Sequence, residues 1–281
     1  MPLARIENIG FWVCFIGAFL AIAAWESSRE RRTLLSAAER RWKNHGVLFI
    51  VGALFSGILL RFTPVALALL VSSSPYGVLN REWLPYWLRC VLTVLALDFV
   101  QYATHWTNHH VAWLWRVHQV HHSDADFDVS TGARFHPLEA VVDQGTRLAA
   151  IALLAPPALG VLIHEFLAIV INFAQHANAW LPSRLDHRLR RVFATPDVHR
   201  LHHSLDMTEQ QHNYGEIFVW WDRLFKTYRE KPAASEKLFR TGLAEFEKAD
   251  TLSVPFLLMV PFRGAPSEPA SSAAKAPETA A

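Results

Sequence analysis

Two cysteines in 281 residues, Cys14 and Cys90, are too few for a disulfide scaffold or for the four thiolates of an iron–sulfur cluster. Both lie inside apolar runs, where a thiol is expected to pack. The chain has no G-x-G-x-x-G fingerprint and no P-loop, so no dinucleotide or triphosphate cradle is expected. Nor does it contain H-E-x-x-H, which a zinc hydrolase would need to set a carboxylate base beside its metal. The net charge is only +2, and no basic stretch has an aromatic face beside it, which argues against a nucleic-acid partner. Arg5 and Glu7 precede the first apolar run and no small-residue cleavage site follows it, so a cleavable signal is not expected.

What the chain has instead is 52% hydrophobic residues, 15 histidines and 11 tryptophans. Indoles favour membrane–water interfaces, where the ring is apolar and the N–H meets water. Apolar runs cover residues 9–25, 47–71, 83–102 and 148–173. The second is interrupted by Arg61 and Pro64, so it is either one kinked helix or two shorter ones, with a single span as the simpler reading. The fourth is broken by Pro156, Pro157 and Gly160, which predicts a helical hairpin entering and leaving on one side. The expected fold is an all-α integral membrane bundle of about three spans plus that hairpin, with a histidine-rich helical cap. Four regions follow: a transmembrane part at 1–97, a catalytic part at 98–230, a C-terminal segment at 231–263 and a disordered tail at 264–281. Arg29, Arg31, Arg32, Arg40, Arg41 and Lys43 face three glutamates in the first loop, which places that loop in the cytoplasm. Segments 103–147 and 174–281 then share the cytoplasmic face. A multi-pass protein with a cytoplasm-facing active site is expected.

Every cluster of histidines falls in those two segments. Asp98, Tyr102, His105 and His109 recur at the helical period and form one stripe. His118, His121 and His122 form a His-x-x-His-His pattern, repeated by His199, His202 and His203. Residues three and four apart on a helix are neighbours, so one cluster can aim two or three imidazoles at a point. Neutral imidazole suits iron, zinc, copper or nickel. Eight or more imidazoles exceed the needs of one tetrahedral zinc, so two metals are more natural, with coordination positions left open. An iron pair above apolar helices suits dioxygen activation against an aliphatic chain, whereas zinc is redox-inert. A metal transporter would place its ligands within the spans, and these clusters lie just outside them.

Metal-bound histidines usually donate their other ring N–H to a carboxylate or carbonyl. Asp98, Asp124, Glu139, Asp197 and Asn213 are candidates for that role, with a helix cap or solvated charge equally expected for Asp124 and Asp197. His136 precedes a proline and so begins a helix, either as a ligand or, in preference, as support for one. His45, His110 and His187 are left outside the site. His164 and Glu165 lie inside the fourth apolar run, about 18 Å along a helix from His176, and are expected to meet water or a partner near the hairpin turn.

Together with Arg134-Phe-His136-Pro-Leu-Glu139, Asn213-Tyr-Gly215 and Trp221-Asp222 through Tyr228, these clusters resemble the fatty acid hydroxylase superfamily. That group includes sterol desaturases, sterol methyl oxidases and alkylglycerol monooxygenases. The resemblance runs from Asp98 to Tyr228. It implies a multi-span enzyme with a histidine-bound iron pair, using dioxygen to hydroxylate or desaturate a sterol, fatty-acyl or related lipid. By that resemblance the ligands are His105, His109, His118, His121, His122, His199, His202 and His203. His176 is the ninth, and Asn172 stands where family members often carry a further histidine. Asn172 would be a weak ligand, hold a water, or donate a hydrogen bond in support. No fused haem or flavin module is visible, so electrons are expected from a separate ferredoxin, b-type cytochrome or flavin reductase. Arg184, Arg188, Arg190 and Arg191 suit either donor docking or, slightly better, anionic lipid headgroups.

Overall fold

The computed structural model describes residues 2–263 except 234, 236, 237 and 248; the tail expected at 264–281 lies outside the described residues. Within them the chain is helical, and its only strand-like pairings are isolated bridges such as Glu30 with Ala179. The long elements are α1 (Pro2–Ser28), α2 (Ala38–Leu60), α3 (Pro64–Val71), α4 (Tyr86–His110), α5 (Ala112–His122), α6 (Pro137–Leu154) and α7 (Ala158–Gln175). Short helices follow: α8 (Ser183–Leu189), α9 (Pro196–His202), α10 (Met207–Gln210), α11 (Trp220–Leu224) and α12 (Val254–Met259).

Four stretches are long and apolar enough to cross a membrane: Leu3–Ser28, Ala38–Val71, Tyr86–His110 and Ala158–Gln175. Their outer faces expose Trp12, Val13, Leu54, Ile58 and Trp87, which suits contact with lipid. Inside, Val65, Leu97, Ile151 and Val161 form a closely packed cluster. Between helices in lipid such a cluster stabilises through tight van der Waals fit, because hydrocarbon tails are as apolar as the side chains they replace.

The second apolar run is two helices, not one. Arg61 adopts φ 60°, its N–H closing α2 on the carbonyl of Gly57 at 3.1 Å. Thr63 Oγ1 then accepts from Ala66 N at 3.3 Å, with Pro64 in the first turn of α3. The missing N–H of Pro64 falls where a helix has no partner for it, so the proline starts α3 instead of kinking α2.

The hairpin is longer than the apolar pattern suggests, because α6 begins at Pro137 and not near residue 148. His136 caps it, its Nδ1 accepting from Leu138 N at 3.1 Å. The turn at Ala155 (φ 47°) to Pro157 tucks under the loop at Gly77, and both open ends lie beside the histidines. Gly160 allows the return helix to touch α4, since a Cβ there would sit 3.0 Å from the Cα of Cys90. Alongside, α1 and α7 run parallel: Gly10 meets Phe166, and Phe19 meets Phe173. Glu26 continues that register by accepting from the backbone N of Asn178 at 2.5 Å and of Val129 at 2.8 Å. The cap formed by residues 112–136 and 176–263 is thereby tied to the helix ends that carry the histidine stripe.

Candidate metal centre

Nine buried imidazoles converge on two adjacent points. His105, His109, His118, His122 and His202 form one group, and His121, His176, His199 and His203 form the other. In each group one ring nitrogen per residue lies within 4.8 Å of all the others. The Nε2 atoms of His109 and His122 are 3.1 Å apart, as are those of His122 and His118. Those of His202 and His105 are 2.9 Å apart, and His176 stands 3.0 Å from His199 and 3.2 Å from His121. Such separations suit neighbouring ligands around one ion with bonds of about 2.1 Å.

Helical geometry explains the partition. Successive residues on a helix point about 100° apart, while the fourth returns to nearly the same direction. His118 and His122 therefore face one point and His121 the other; His199 and His203 face the second point and His202 the first. Each His-x-x-His-His cluster serves both groups, instead of aiming all its imidazoles at one. The rings of His122 and His203 stack across the divide at 4.4 Å.

The outward nitrogens of five imidazoles are held by the fold, while the Nδ1 atoms of His109, His122 and His199 are buried without a partner in the chain. The Nδ1 atoms of His202 and His176 donate to the carbonyls of His212 and Asn172, each at 2.7 Å, and that of His121 to the Arg134 carbonyl at 3.3 Å. His118 Nδ1 meets Glu139 Oε1 at 2.5 Å. His105 Nδ1 lies 3.0 Å from the Tyr214 carbonyl and 3.2 Å from Glu216 Oε1. These bonds fix the tautomer that leaves Nε2 free to bind a metal. The two ring nitrogens of His203, wholly buried, have no hydrogen-bond partner in the chain. An orphaned pair of buried nitrogens is costly unless something coordinates there. Donor type, spacing and orphaned atoms together fit a pair of metal ions.

Electrostatics point the same way. Burial, reinforced by neighbouring imidazoles, holds His121, His122, His199, His202 and His203 well below the ordinary histidine range. Burial brings His176 down to about 4 and pushes the Glu139 carboxyl up to about 8. Neutral imidazole is the form that binds metal.

Other residues singled out by sequence lie elsewhere. Asp98 accepts from the backbone N of Ile217 and Phe218 and from Trp221 Nε1, pinning the loop that carries Tyr214 and Glu216 to α4. Asn213, at φ 61°, donates to the carbonyls of Val198 and Arg229 and accepts from Arg229 N. Asp197 pairs with Arg31 at 3.0 Å. Asp124 binds Arg41 at 2.7 Å. None of these four reaches an imidazole of the two groups, because each is taken up by a backbone or guanidinium partner nearer to it. The same is true of His136, which caps α6 and meets the Leu258 carbonyl. Asn172 supports His176 through its backbone carbonyl while its side chain donates to Gly132 O at 2.7 Å. His164 is buried in α7 outside both groups. Glu216 was missed by spacing arguments; its only sequence signal is its place directly after the Asn-Tyr-Gly motif.

A third cluster, His45 with Asp124 and Asp128, has metal-like spacing. Arg41 fills it with bonds of 2.7–3.1 Å to both carboxylates, and Arg134 Nη1 donates to His45 Nε2 at 2.9 Å. Two guanidinium groups already supply the positive charge there.

A cavity of about 450 Å³ opens onto the metal centre. Its near end is bounded by His105, His118, His121, His176 and His199, and its length by Phe11, Trp12, Phe15, Phe49 and Phe173. It can accept an apolar chain against the imidazoles.

Residues 90–227 match the family model for fatty acid hydroxylase. The chain is 30% identical over 157 residues to an alkylglycerol monooxygenase of Caenorhabditis elegans, covering 54% of this chain and 29% of that protein. It is 31% identical over 154 residues to the ornithine lipid hydroxylase OlsE of Rhizobium tropici, covering 55% and 45% respectively. It is 28% identical over 158 residues to a cholesterol 25-hydroxylase-like protein of Caenorhabditis elegans, covering 55% and 52%. The matched region thus spans between about a third and a half of these relatives. No solved structure gives a significant match.

Proposed function

Because this chain belongs to the fatty acid hydroxylase superfamily, we propose that it is a membrane-bound oxygenase that hydroxylates a lipid at an iron pair held by its nine imidazoles. The observation that carries this reading is the joining of two convergent imidazole groups to an aromatic-walled cavity within a bundle of membrane-length helices. Hydroxylation is preferred to desaturation because the relatives' names describe monooxygenases and hydroxylases.

The first group of five and the second group of four would each hold one ion, and the bound pair would supply dioxygen activation and the attack on an unactivated C–H bond. The chain's own residues prepare that chemistry. Glu139 and Glu216, with the carbonyls of Tyr214, Arg134, Asn172 and His212, orient the rings of His105, His118, His121, His176 and His202 and keep their coordinating nitrogens unprotonated. The aromatic wall seats the substrate chain and excludes bulk water from the reacting carbon, which protects against side reactions. The basic loop at residues 29–43 supports a site facing the cytoplasm. Electrons are assigned to a separate donor protein.

The test is metal analysis of the detergent-purified full chain, followed by lipid extraction and mass spectrometry after incubation with a reductant and dioxygen. About two irons per chain and a product heavier by one oxygen would support the reading. Zinc-only protein that hydrolyses lipid, or iron-loaded protein producing no oxidised lipid in any host extract, would overturn it.

A further inference from the structure

Asp98 fixes α11 against the flank of a membrane-length helix: its carboxylate, on α4, accepts from the backbone N of Ile217 and Phe218 and from Trp221 Nε1. Packed rings extend the contact. Phe99 meets Trp221 at 5.1 Å and Phe225 at 5.9 Å, and Tyr102 meets Phe225 at 5.6 Å. Phe99 and Tyr102 close the third apolar run, and α4 runs on from Ala103 to His110, about 12 Å further. So α11 sits beside the span where it leaves the apolar layer, well short of the end of α4. It is tied in turn to α8, since Trp220 Nε1 donates to the Arg191 carbonyl at 3.1 Å and Arg223 Nη2 to the Arg190 carbonyl at 3.0 Å.

Together these two elements expose Leu185, Trp220, Leu224 and Phe225 beside Arg184, Arg188, Arg191, Arg223 and Lys226. Arg190, the remaining arginine of the run, is buried against Asp186. Within residues 183–195 and 217–227 the acids are Asp186 and Asp222, and both are buried. Arg190 and Thr195 take up the first, and the backbone N–H groups of Tyr214 and Gly215 take up the second. The exposed charge of both segments is therefore wholly positive; just beyond them, Glu230 lies 3.8 Å from His187.

We propose that α8 and α11 form an interfacial foot, which rests on the bilayer beside α4 and binds anionic phospholipid head groups through Arg184, Arg188, Arg191, Arg223 and Lys226. Exposed rings at the exit of a span match the boundary between acyl chains and head groups, where one side is apolar and the other wet. Long basic side chains beside them can lay their stems on the apolar layer and reach phosphates with their heads. Each such cation near an anionic surface is worth roughly fivefold in affinity. An acidic protein would match the charge, but Leu224 and Phe225 flank the span itself, where the lipid stands. The inference is independent of the metal chemistry and concerns a surface away from the imidazoles.

The full chain, with Cys14 and Cys90 replaced by Ala and Leu224→Cys carrying a nitroxide, is reconstituted into vesicles of phosphatidylcholine with or without phosphatidylglycerol. Relaxation of the nitroxide by dissolved oxygen, which concentrates in hydrocarbon, is compared with relaxation by a water-soluble nickel chelate. Oxygen is expected to dominate, and the oxygen-to-nickel ratio to rise roughly threefold or more once phosphatidylglycerol is present. Arg191→Gln, Arg223→Gln and Lys226→Gln together should abolish that rise. All four substituted side chains are exposed, so the packing of α11 on α4 is retained in each variant. A label reached mainly by nickel in both kinds of vesicle would place the patch in water, as a docking face for an acidic protein would be, and would overturn the proposal. A ratio indifferent to phosphatidylglycerol, or to the three substitutions, would overturn it equally, leaving apolar contact without head-group binding.

Discussion

Glu139 Oε1 lies 2.5 Å from His118 Nδ1, joining the first turn of α6 to the last turns of α5. The contact crosses from the membrane hairpin to the histidine-rich cap, so one carboxylate sets both a ring orientation and a helix register. Its other oxygen is buried without a partner, and the residue lines the cavity. Replacing Glu139 by Gln keeps the shape and removes the ionisable carboxyl. Metal affinity is expected to fall roughly 10- to 100-fold, read by chelator competition, with Glu139→Ala lower still. Unchanged affinity in both variants would mean that the contact only packs.

The two imidazole groups differ in size, and this gives an asymmetric expectation. Removing His109 leaves four imidazoles in its group, whereas removing His176 leaves three in the other. His176→Ala should therefore lose more bound metal than His109→Ala, close to one ion per chain. Elemental analysis of the two purified variants checks the order, and equal losses would contradict the five-and-four partition.

The metal-free protein should weaken in mild acid. Burial holds His118, His121, His122, His176, His199, His202 and His203 below the unfolded value near 6.5 in the fold, while His105, beside Glu216, lies above it; for these seven lowered groups the unfolded chain binds more protons, and stability rises with pH across that window. The contribution is complete above pH 6.5 and is lost as pH falls toward the folded values. His176 alone, at about 4 in the fold, accounts for roughly 3 kcal/mol between those limits. Thermal melting of metal-stripped protein at pH 7.5 and pH 5.5 should show the lower midpoint at pH 5.5; identical midpoints would argue that the imidazoles are hydrated in the apo state.

Gly160 sets the approach of α7 to α4. A methyl group there would meet Thr93 Cβ at 2.8 Å and the Cys90 backbone at 3.0 Å, and neither can swing aside as a long side chain could. Gly160→Ala is expected to destabilise by about 1–3 kcal/mol through overpacking, seen as a lowered melting temperature in detergent. A neutral result would show that the two helices can separate without loss.

Arg41 is 1% exposed and pairs with three buried carboxylates, Asp124, Asp126 and Asp128. Arg41→Met would strand these charges, and a loss of about 3–5 kcal/mol is expected. Asp124→Asn together with Arg41→Met should recover part of it. Were the single variant as stable as the parent, the cluster would have to be accessible to water or a cation.

The sequence was informative where the physics is local. The run of apolar residues and the adjacent Pro156 and Pro157 demand membrane-length helices and a turn, because backbone groups in lipid must bond internally and proline has no N–H to give. The spacing of His118 to His122 and of His199 to His203 was equally legible, since helical period acts over four residues. Val47 to Val71 reads from composition as one kinked helix or two shorter ones; the Thr63 side-chain cap, which lets Pro64 begin a helix, makes it two helices within one membrane-length stretch, and composition alone does not reveal a cap.

What only tertiary structure decided concerns residues tens of positions apart. It chose Glu139 and Glu216 as partners of the imidazoles, while Asp98, Asp124 and Asp197 found backbone amides and arginines closer to hand. It also divided nine histidines between two points. A side chain's partners depend on which helix packs beside its own, and that is fixed by the fit of whole helix faces. The periodicity of any one segment determines which side chains share a face, but not what that face will meet.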